Sequence, residues 1–243
     1  MMNTKLLISV TNATEALMAM DAGADIIDLK DPNVGALGAL PHEITRDIVL
    51  AVNHHALVSA TVGEDHPTIA HLNLAIEQTA NLGVDIVKIA INKSLAESLL
   101  NNMNFLEIVD KLKTLNLHLV AVLFVEQNLV ANQNIATHIL PLVKELGFYG
   151  VMLDTEHKNG KSLIYHLSFD SLKSFMSICA EYDFVTGLAG SLHLNFVESL
   201  VKLKPNYLGF RGGVCHDLNR QSELDKSKIL EIRSLLLKHN KST

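Results

Sequence analysis

Short apolar runs recur along the chain, separated by stretches in which apolar residues return every third or fourth position. Eight such runs, rich in Val, Ile and Leu, cover residues 5–10, 25–30, 56–62, 84–91, 117–124, 148–154, 184–188 and 207–211. They are almost continuously apolar. That pattern predicts strands buried on both faces, as in a parallel sheet, and not half-exposed antiparallel ones. Between the first two runs, Ala13, Ala16, Leu17 and Met20 fall on one helical face, and residues 69–82 and 224–237 repeat the spacing. Pro41 and Pro67 stand where a first helical turn tolerates proline. In Ala22-Gly23-Ala24-Asp25, Leu82-Gly83-Val84-Asp85 and Leu146-Gly147-Phe148-Tyr149, glycine marks a helix end just before a strand. Glycine suits that position because it reaches positive φ without a Cβ clash.

Eight strand–helix units in 243 residues predict an α/β fold, a single (β/α)8 TIM barrel, with residues 1–243 as one catalytic domain. A doubly wound open sheet fits less well. Its glycine fingerprint is missing after the first strand, where Val10 leads straight into Thr11-Asn12-Ala13.

Composition narrows the functional classes. At 48% hydrophobic and 19% charged residues, the chain has the means to bury a large core, which excludes disorder. A net charge of −6 argues against a broad nucleic-acid-binding face. The longest apolar run, residues 119–125, is far shorter than the roughly 18 residues of a membrane span. Residues 6–10 are likewise too few for the apolar segment of a signal peptide. Cys179 and Cys215 are expected to be unpaired thiols in a reducing compartment. The 12 histidines show no metal-ligand spacing. The expectation is a cytoplasmic, homo-oligomeric enzyme for a small molecule, with no cofactor, no metal, no nucleic acid and no membrane.

In a barrel, chemistry gathers at the C-terminal ends of the strands. Four even-numbered strands carry charges there: Asp28 and Lys30, Lys88, Asp154, and Arg211. Alternate strands contribute to the same interior layers, so these groups are expected to converge. Lys88 lies between Val87 and Ile89, and a buried ammonium needs a carboxylate partner or a reason to be neutral. Two facing lysines point to Schiff-base chemistry, because a nearby cation or an apolar pocket lowers an amine's pKa toward the nucleophilic form. Asp28 or Asp154 could then shuttle protons. Spacing alone does not say which lysine is the nucleophile.

Strands 7 and 8 run into glycine-rich turns that contain Gly187, Gly190 and Ser191, and Arg211, Gly212 and Gly213. These two loops are the usual phosphate site of barrel enzymes, and an arginine fork suits that anion. A phosphorylated aldehyde is the expected substrate. Glu126, Gln127, His157 and His193 are placed near the mouth without an assigned role.

Several blocks together resemble the (5-formylfuran-3-yl)methyl phosphate synthase family. They are residues 6–10 and 23–38, with Asp28-Leu29-Lys30-Asp31-Pro32, then residues 58–63, then Asp154-Thr155-Glu156-His157-Lys158, then residues 188–191 and 211–215. The resemblance extends from Leu6 to about Arg220. It implies a barrel lyase of methanofuran biosynthesis that condenses two glyceraldehyde 3-phosphate molecules into 4-(hydroxymethyl)-2-furancarboxaldehyde phosphate. It further implies Lys30 as the Schiff-base lysine, Lys88 as the proton-transfer residue, and Asp28, Asp154 and Lys158 as supporting residues. Compared with the family pattern, the segments after Lys88, at the end of strand 5 and after Gly63 differ. Two other readings stay open: another class I aldolase-type lyase on a triose or pentose phosphate, and an idle barrel that binds a phosphorylated metabolite.

Overall fold

A computed structural model describes residues 3–127 and 138–241. Eight parallel strands close into a barrel in chain order: β1 (Lys5–Val10), β2 (Ile26–Leu29), β3 (Leu57–Thr61), β4 (Ile86–Ala90), β5 (His118–Phe124), β6 (Gly150–Asp154), β7 (Val185–Leu188) and β8 (Tyr207–Phe210). The ring is sealed by β8 against β1, with Leu6 opposite Leu208 and Leu7 opposite Gly209. Each strand lies within its predicted run, most of them trimmed by a residue or two where the turn begins.

The outer layer consists of α1 (Ala13–Asp21), α2 (His42–Val52), α3 (Ile69–Ala80), α4 (Lys93–Leu100), α5 (Met103–Thr114), α6 (Leu140–Glu145), α7 (Leu163–His166), α8 (Phe169–Glu181), α9 (Leu194–Leu200) and α10 (Lys226–Lys241). Local chemistry sets their starts. Asn12 caps α1 by accepting the Glu15 amide at 2.9 Å, and Thr68, Asn92, Asn102 and Ser168 cap α3, α4, α5 and α8 in the same way. Pro41 is itself the residue that precedes α2. Pro67 is not in a first turn. It stands one residue before the Thr68 cap, because the Thr68 hydroxyl accepts the His71 amide there. Gly23, Gly83 and Gly147 end their helices at φ +89°, +90° and +80°, the conformation the sequence pattern demands. No described helix is long and apolar enough to cross a membrane.

Strand alternation divides the core in two. Leu6, Ile8, Ile27, Leu29, Val87 and Ile89 face the helices in the larger cluster. Leu7, Ile26, Ile86, Val120, Val122, Met152 and Tyr207 fill the barrel axis. Ala36 and Leu37 join this axial cluster, although they belong to the loop between β2 and α2.

One expectation for Gly187 is corrected. It lies in β7, inside the predicted 184–188 run, and not in the phosphate turn, and a Cβ there would sit 2.1 Å from the Tyr207 ring. Its lack of a side chain makes room for that ring, which is buried across the axis. A Gly187→Ala variant should therefore lose stability by about 1–3 kcal/mol, the usual cost of overpacking a core. Urea unfolding of the variant beside the parent protein checks this.

Candidate active site

Polar residues enter the apolar axis at one level of three neighbouring strands. Ser9, Asp28 and Ser59 are register partners on β1, β2 and β3. Each serine hydroxyl donates to a different oxygen of Asp28, Ser9 at 2.8 Å and Ser59 at 2.6 Å. The Lys88 ammonium, from β4, packs against the same carboxylate. Asp28 is fully enclosed. Burial pushes its pKa up, but the charges of Lys88 and Lys30 and the hydrogen bonds pull harder, and it is held below the usual carboxylate range. For Lys88 the balance tips the other way. Burial lowers its pKa more than Asp28 restores it, and the Lys30 charge lowers it further.

A second charged group lies at the end of β6. Asp154 Oδ2 accepts from Lys30 at 3.3 Å, and Oδ1 accepts from Lys158 at 2.7 Å and from the Thr155 amide at 2.7 Å. Lys158 also donates to the Thr155 hydroxyl at 3.1 Å. Burial would raise the Asp154 pKa, yet Lys158 and Lys30 outweigh it and hold the group well below its ordinary value. Burial lowers the Lys158 pKa, more than Asp154 offsets. Of the inward charges expected on the four even strands, those of β2, β4 and β6 converge: Lys88 lies against Asp28, and Lys30 and Lys158 lie against Asp154.

A cavity of about 390 Å3 opens above this group at the C-terminal mouth. Lys30, Asp154 and Lys158 line it, as do Gly190, Ser191, Gly212 and Gly213 of the last two loops. Lys88 and Asp28 lie beneath, each only 1% exposed, whereas Lys30 is 7% exposed at the cavity wall. Gly187 is not part of that wall. His193 reaches the wall, while His157 is exposed and gives its amide to Glu126 at 3.1 Å. Glu126 also accepts the Glu156 amide at 2.8 Å, and Gln127 donates to Glu156. Those two residues tie the loop after β5 to the loop after β6. Cys179 and Cys215 are free thiols, both buried.

Arg211 borders the cavity but does not present a free fork. Its Nη1 donates to Glu15 at 2.6 Å and to the Ser9 carbonyl at 3.2 Å, its Nε to the Arg220 carbonyl at 2.9 Å and its Nη2 to the Ser222 carbonyl at 3.0 Å. The expected phosphate fork is instead a brace joining α1, β1 and the loop after β8. Residue spacing gave no sign of this, because Glu15 stands in a helix nearly the whole chain away. Ser9 and Ser59 also escaped notice. Their signal was available: each is a hydroxyl at an inward position of an otherwise apolar strand, in line with Asp28.

The sequence model of the 4-HFC-P synthase family matches residues 6–233. The chain belongs to the 4-HFC-P synthase family. Its family relatives include a candidate (5-formylfuran-3-yl)methyl phosphate synthase of Methylorubrum extorquens, 37% identical over 231 residues that cover 93% of this chain and 89% of that protein. The (5-formylfuran-3-yl)methyl phosphate synthase of Methanosarcina mazei is 32% identical, covering 87% and 90%, and that of Archaeoglobus fulgidus is 30% identical, covering 94% and 97%. Among solved structures, phosphoribosyl anthranilate isomerase from Thermus thermophilus superposes with a TM-score of 0.66 at 14% identity, covering 97% of this chain and 100% of that one. 3-Hexulose-6-phosphate synthase from Salmonella typhimurium also gives 0.66, at 15% identity with the same coverage. At such identities these enzymes share the barrel with the 4-HFC-P synthase family and nothing more is carried over.

Two outcomes follow from the geometry. Asp154 binds its proton less readily folded than unfolded, so its stabilisation is present above about pH 4, the unfolded value, and is lost as pH falls. Urea midpoints measured from pH 6 down to pH 3 should drop less steeply in Asp154→Asn than in the parent; equal slopes would remove this account. Breaking the buried Arg211–Glu15 pair with Arg211→Met should cost about 3–5 kcal/mol of stability, because the Glu15 carboxylate loses its partner. The same unfolding assay reads it.

Proposed function

We propose that the chain condenses two molecules of glyceraldehyde 3-phosphate into 4-(hydroxymethyl)-2-furancarboxaldehyde phosphate, as a lyase of methanofuran biosynthesis, through an imine on Lys30. The observation that carries the choice of lysine is position. Lys30 faces the open cavity next to a carboxylate, whereas Lys88 lies below it, enclosed against Asp28. A carbonyl entering from the mouth meets Lys30 first.

In this reading the unprotonated Lys30 amine adds to a substrate carbonyl carbon, and water leaves to give the iminium. The iminium draws electrons from the adjacent C–H, whose proton passes to a neighbouring base, and the resulting carbon nucleophile attacks the second aldehyde. Lys158, whose pKa burial lowers, and Asp154 are the groups bonded around Lys30. Lys88, also lowered, is the amine on the far side that can return a proton. Loss of phosphate and water from the adduct with ring closure, and hydrolysis of the Lys30 imine by a water, then yield the aromatic aldehyde and return the free amine. Gly190, Ser191, Gly212 and Gly213 offer backbone at the mouth for a substrate phosphate, with Arg211 bracing the loop that carries the last two. Asp28 serves as the fixed counter-charge of Lys88.

The pure protein incubated with glyceraldehyde 3-phosphate should release a product with the strong near-ultraviolet absorbance of a furan aldehyde. An aldol adduct without that absorbance would favour another class I aldolase. Binding without turnover would favour an idle phosphometabolite barrel. Borohydride added during turnover should fix substrate carbon on Lys30, by peptide mapping, and leave Lys88 and Lys158 unlabelled. Lys30→Ala should give no adduct and no product, while Lys88→Ala should still be labelled at Lys30 without releasing product. Label on Lys88 or Lys158 in the parent protein would overturn the assignment.

A further inference from the structure

We propose that Arg220 is a phosphate-operated latch on the loop that covers Lys88; the inference rests on the two-substrate reading above. Between β2 and α2 the chain does not run across the rim. It folds inward, so that Ala36 and Leu37 are buried among Val122, Phe124 and the other axial residues. The fold-back is fixed at its base, where the Asp31 amide donates to the Gly38 carbonyl at 2.9 Å and the Thr61 hydroxyl donates to the same carbonyl at 2.9 Å. Gly38 fits there because a Cβ would lie 2.5 Å from the Asp31 carbonyl. Further out, three ties keep the loop down. The Leu37 amide donates to the Glu64 carboxylate, Gln221 donates to Asn33 at 3.0 Å, and Arg220 Nη2 donates to the Gly35 carbonyl at 3.0 Å.

With the loop down, Lys88 has no place on the wall of the cavity that Lys30 lines. A condensation of two trioses needs the second molecule to come alongside the first, and Ala36 and Leu37 fill part of the barrel axis on a loop whose Gly38 carbonyl accepts from Thr61, the register partner of Lys88. The tie best placed to respond to the first molecule is Arg220. Arg220 lines the cavity with Gly190, Ser191 and Gly212, where the carboxylates of Asp154, Glu64 and Asp31 act on its charge, and its Nη2 donates to the Gly35 carbonyl. A guanidinium bonds a phosphate dianion more strongly than a neutral carbonyl. Arg211 grips the Arg220 carbonyl at 2.9 Å, so the backbone stays while the side chain is free to turn. Phosphate of the first triose draws the guanidinium into the cavity, Gly35 is released, and residues 35–37 leave the space next to Lys88 for the second triose.

Hydrogen exchange of the full-length protein, with and without inorganic phosphate, tests this. Phosphate should speed exchange of the Leu37 amide several-fold in the parent protein. In Arg220→Gln that amide should exchange fast without phosphate and ignore its addition, while Arg220→Lys should keep part of the response. Glu64→Gln weakens the tie at the Leu37 amide and removes a charge that faces Arg220; it should speed Leu37 exchange while phosphate still speeds it further, and it decides the case if Arg220→Gln does not fold. Unchanged or slower Leu37 exchange on adding phosphate, or a full response in Arg220→Gln, overturns the latch. Product assays on the same samples separate the two ideas. Furan formed with an unresponsive loop sinks the latch alone; a responsive loop with no furan supports the latch and sinks the synthase reading.

Discussion

Three lysines share two carboxylates in the interior of this barrel, and the rest of the site depends on that imbalance. An ammonium taken out of water costs several kcal/mol unless a carboxylate answers it. Asp28 answers Lys88, and Asp154 has to serve both Lys30 and Lys158. With all five groups ionised one positive charge has no match, and the least costly relief is for an amine to give up its proton. Burial pushes Lys88 and Lys158 in that direction, and each is pushed further by the charge of Lys30. A cluster short of one negative charge is also receptive to an anionic substrate. The same imbalance thus favours a neutral amine before substrate arrives and a phosphorylated ligand once it does.

What keeps the imbalance from unfolding the barrel is the precision of strand register. Ser9, Asp28 and Ser59 are adjacent only because β1, β2 and β3 are aligned residue for residue. The two hydroxyls occupy both oxygens of Asp28, so the carboxylate is turned neither toward the cavity nor toward a bulk proton source. It functions as a stationary charge. Asp154 is different: its partners include the cavity-lining lysines, so its hydrogen bonds can be rearranged when one of them reacts. Two acidic residues of the same type acquire different duties from what surrounds them.

Much of this was legible in the sequence because it depends on short-range pattern. Continuous apolar runs, glycine before each of three strands, and charges at inward positions of even strands led to the barrel and to Asp28, Lys30, Lys88 and Asp154 without reference to tertiary structure. Lys158 came from the Asp154-Thr155-Glu156-His157-Lys158 block of the family resemblance. The failures share a cause: each turned on a partner distant along the chain. Gly187 reads as a turn glycine until Tyr207, on the next strand, is seen to need its space. Arg211 reads as a phosphate fork until Glu15 is found beside it. Nothing in the run Gly35-Ala36-Leu37 announces that a loop will enter the barrel, because two small or apolar residues after a glycine are equally suited to a surface turn. Arg220 lies outside every motif, and its place at the cavity follows from the grip of Arg211 on its backbone.

The Arg211 brace also bears on how the molecule comes to exist. Its contacts reach residues 196 and 202 positions earlier, so they close a loop of nearly the full chain. Contacts that distant cost loop-closure entropy before they return any stabilisation, and folds dominated by them form slowly. During synthesis β1 emerges first and its partner β8 last, which leaves the first strand with an open hydrogen-bonding edge until the final βα unit arrives. Glu15 waits over the same interval without its arginine. The mouth of the barrel is consequently the last part to be assembled, and a nascent chain halted before Arg211 carries the lysines and carboxylates without the ring that makes them a site.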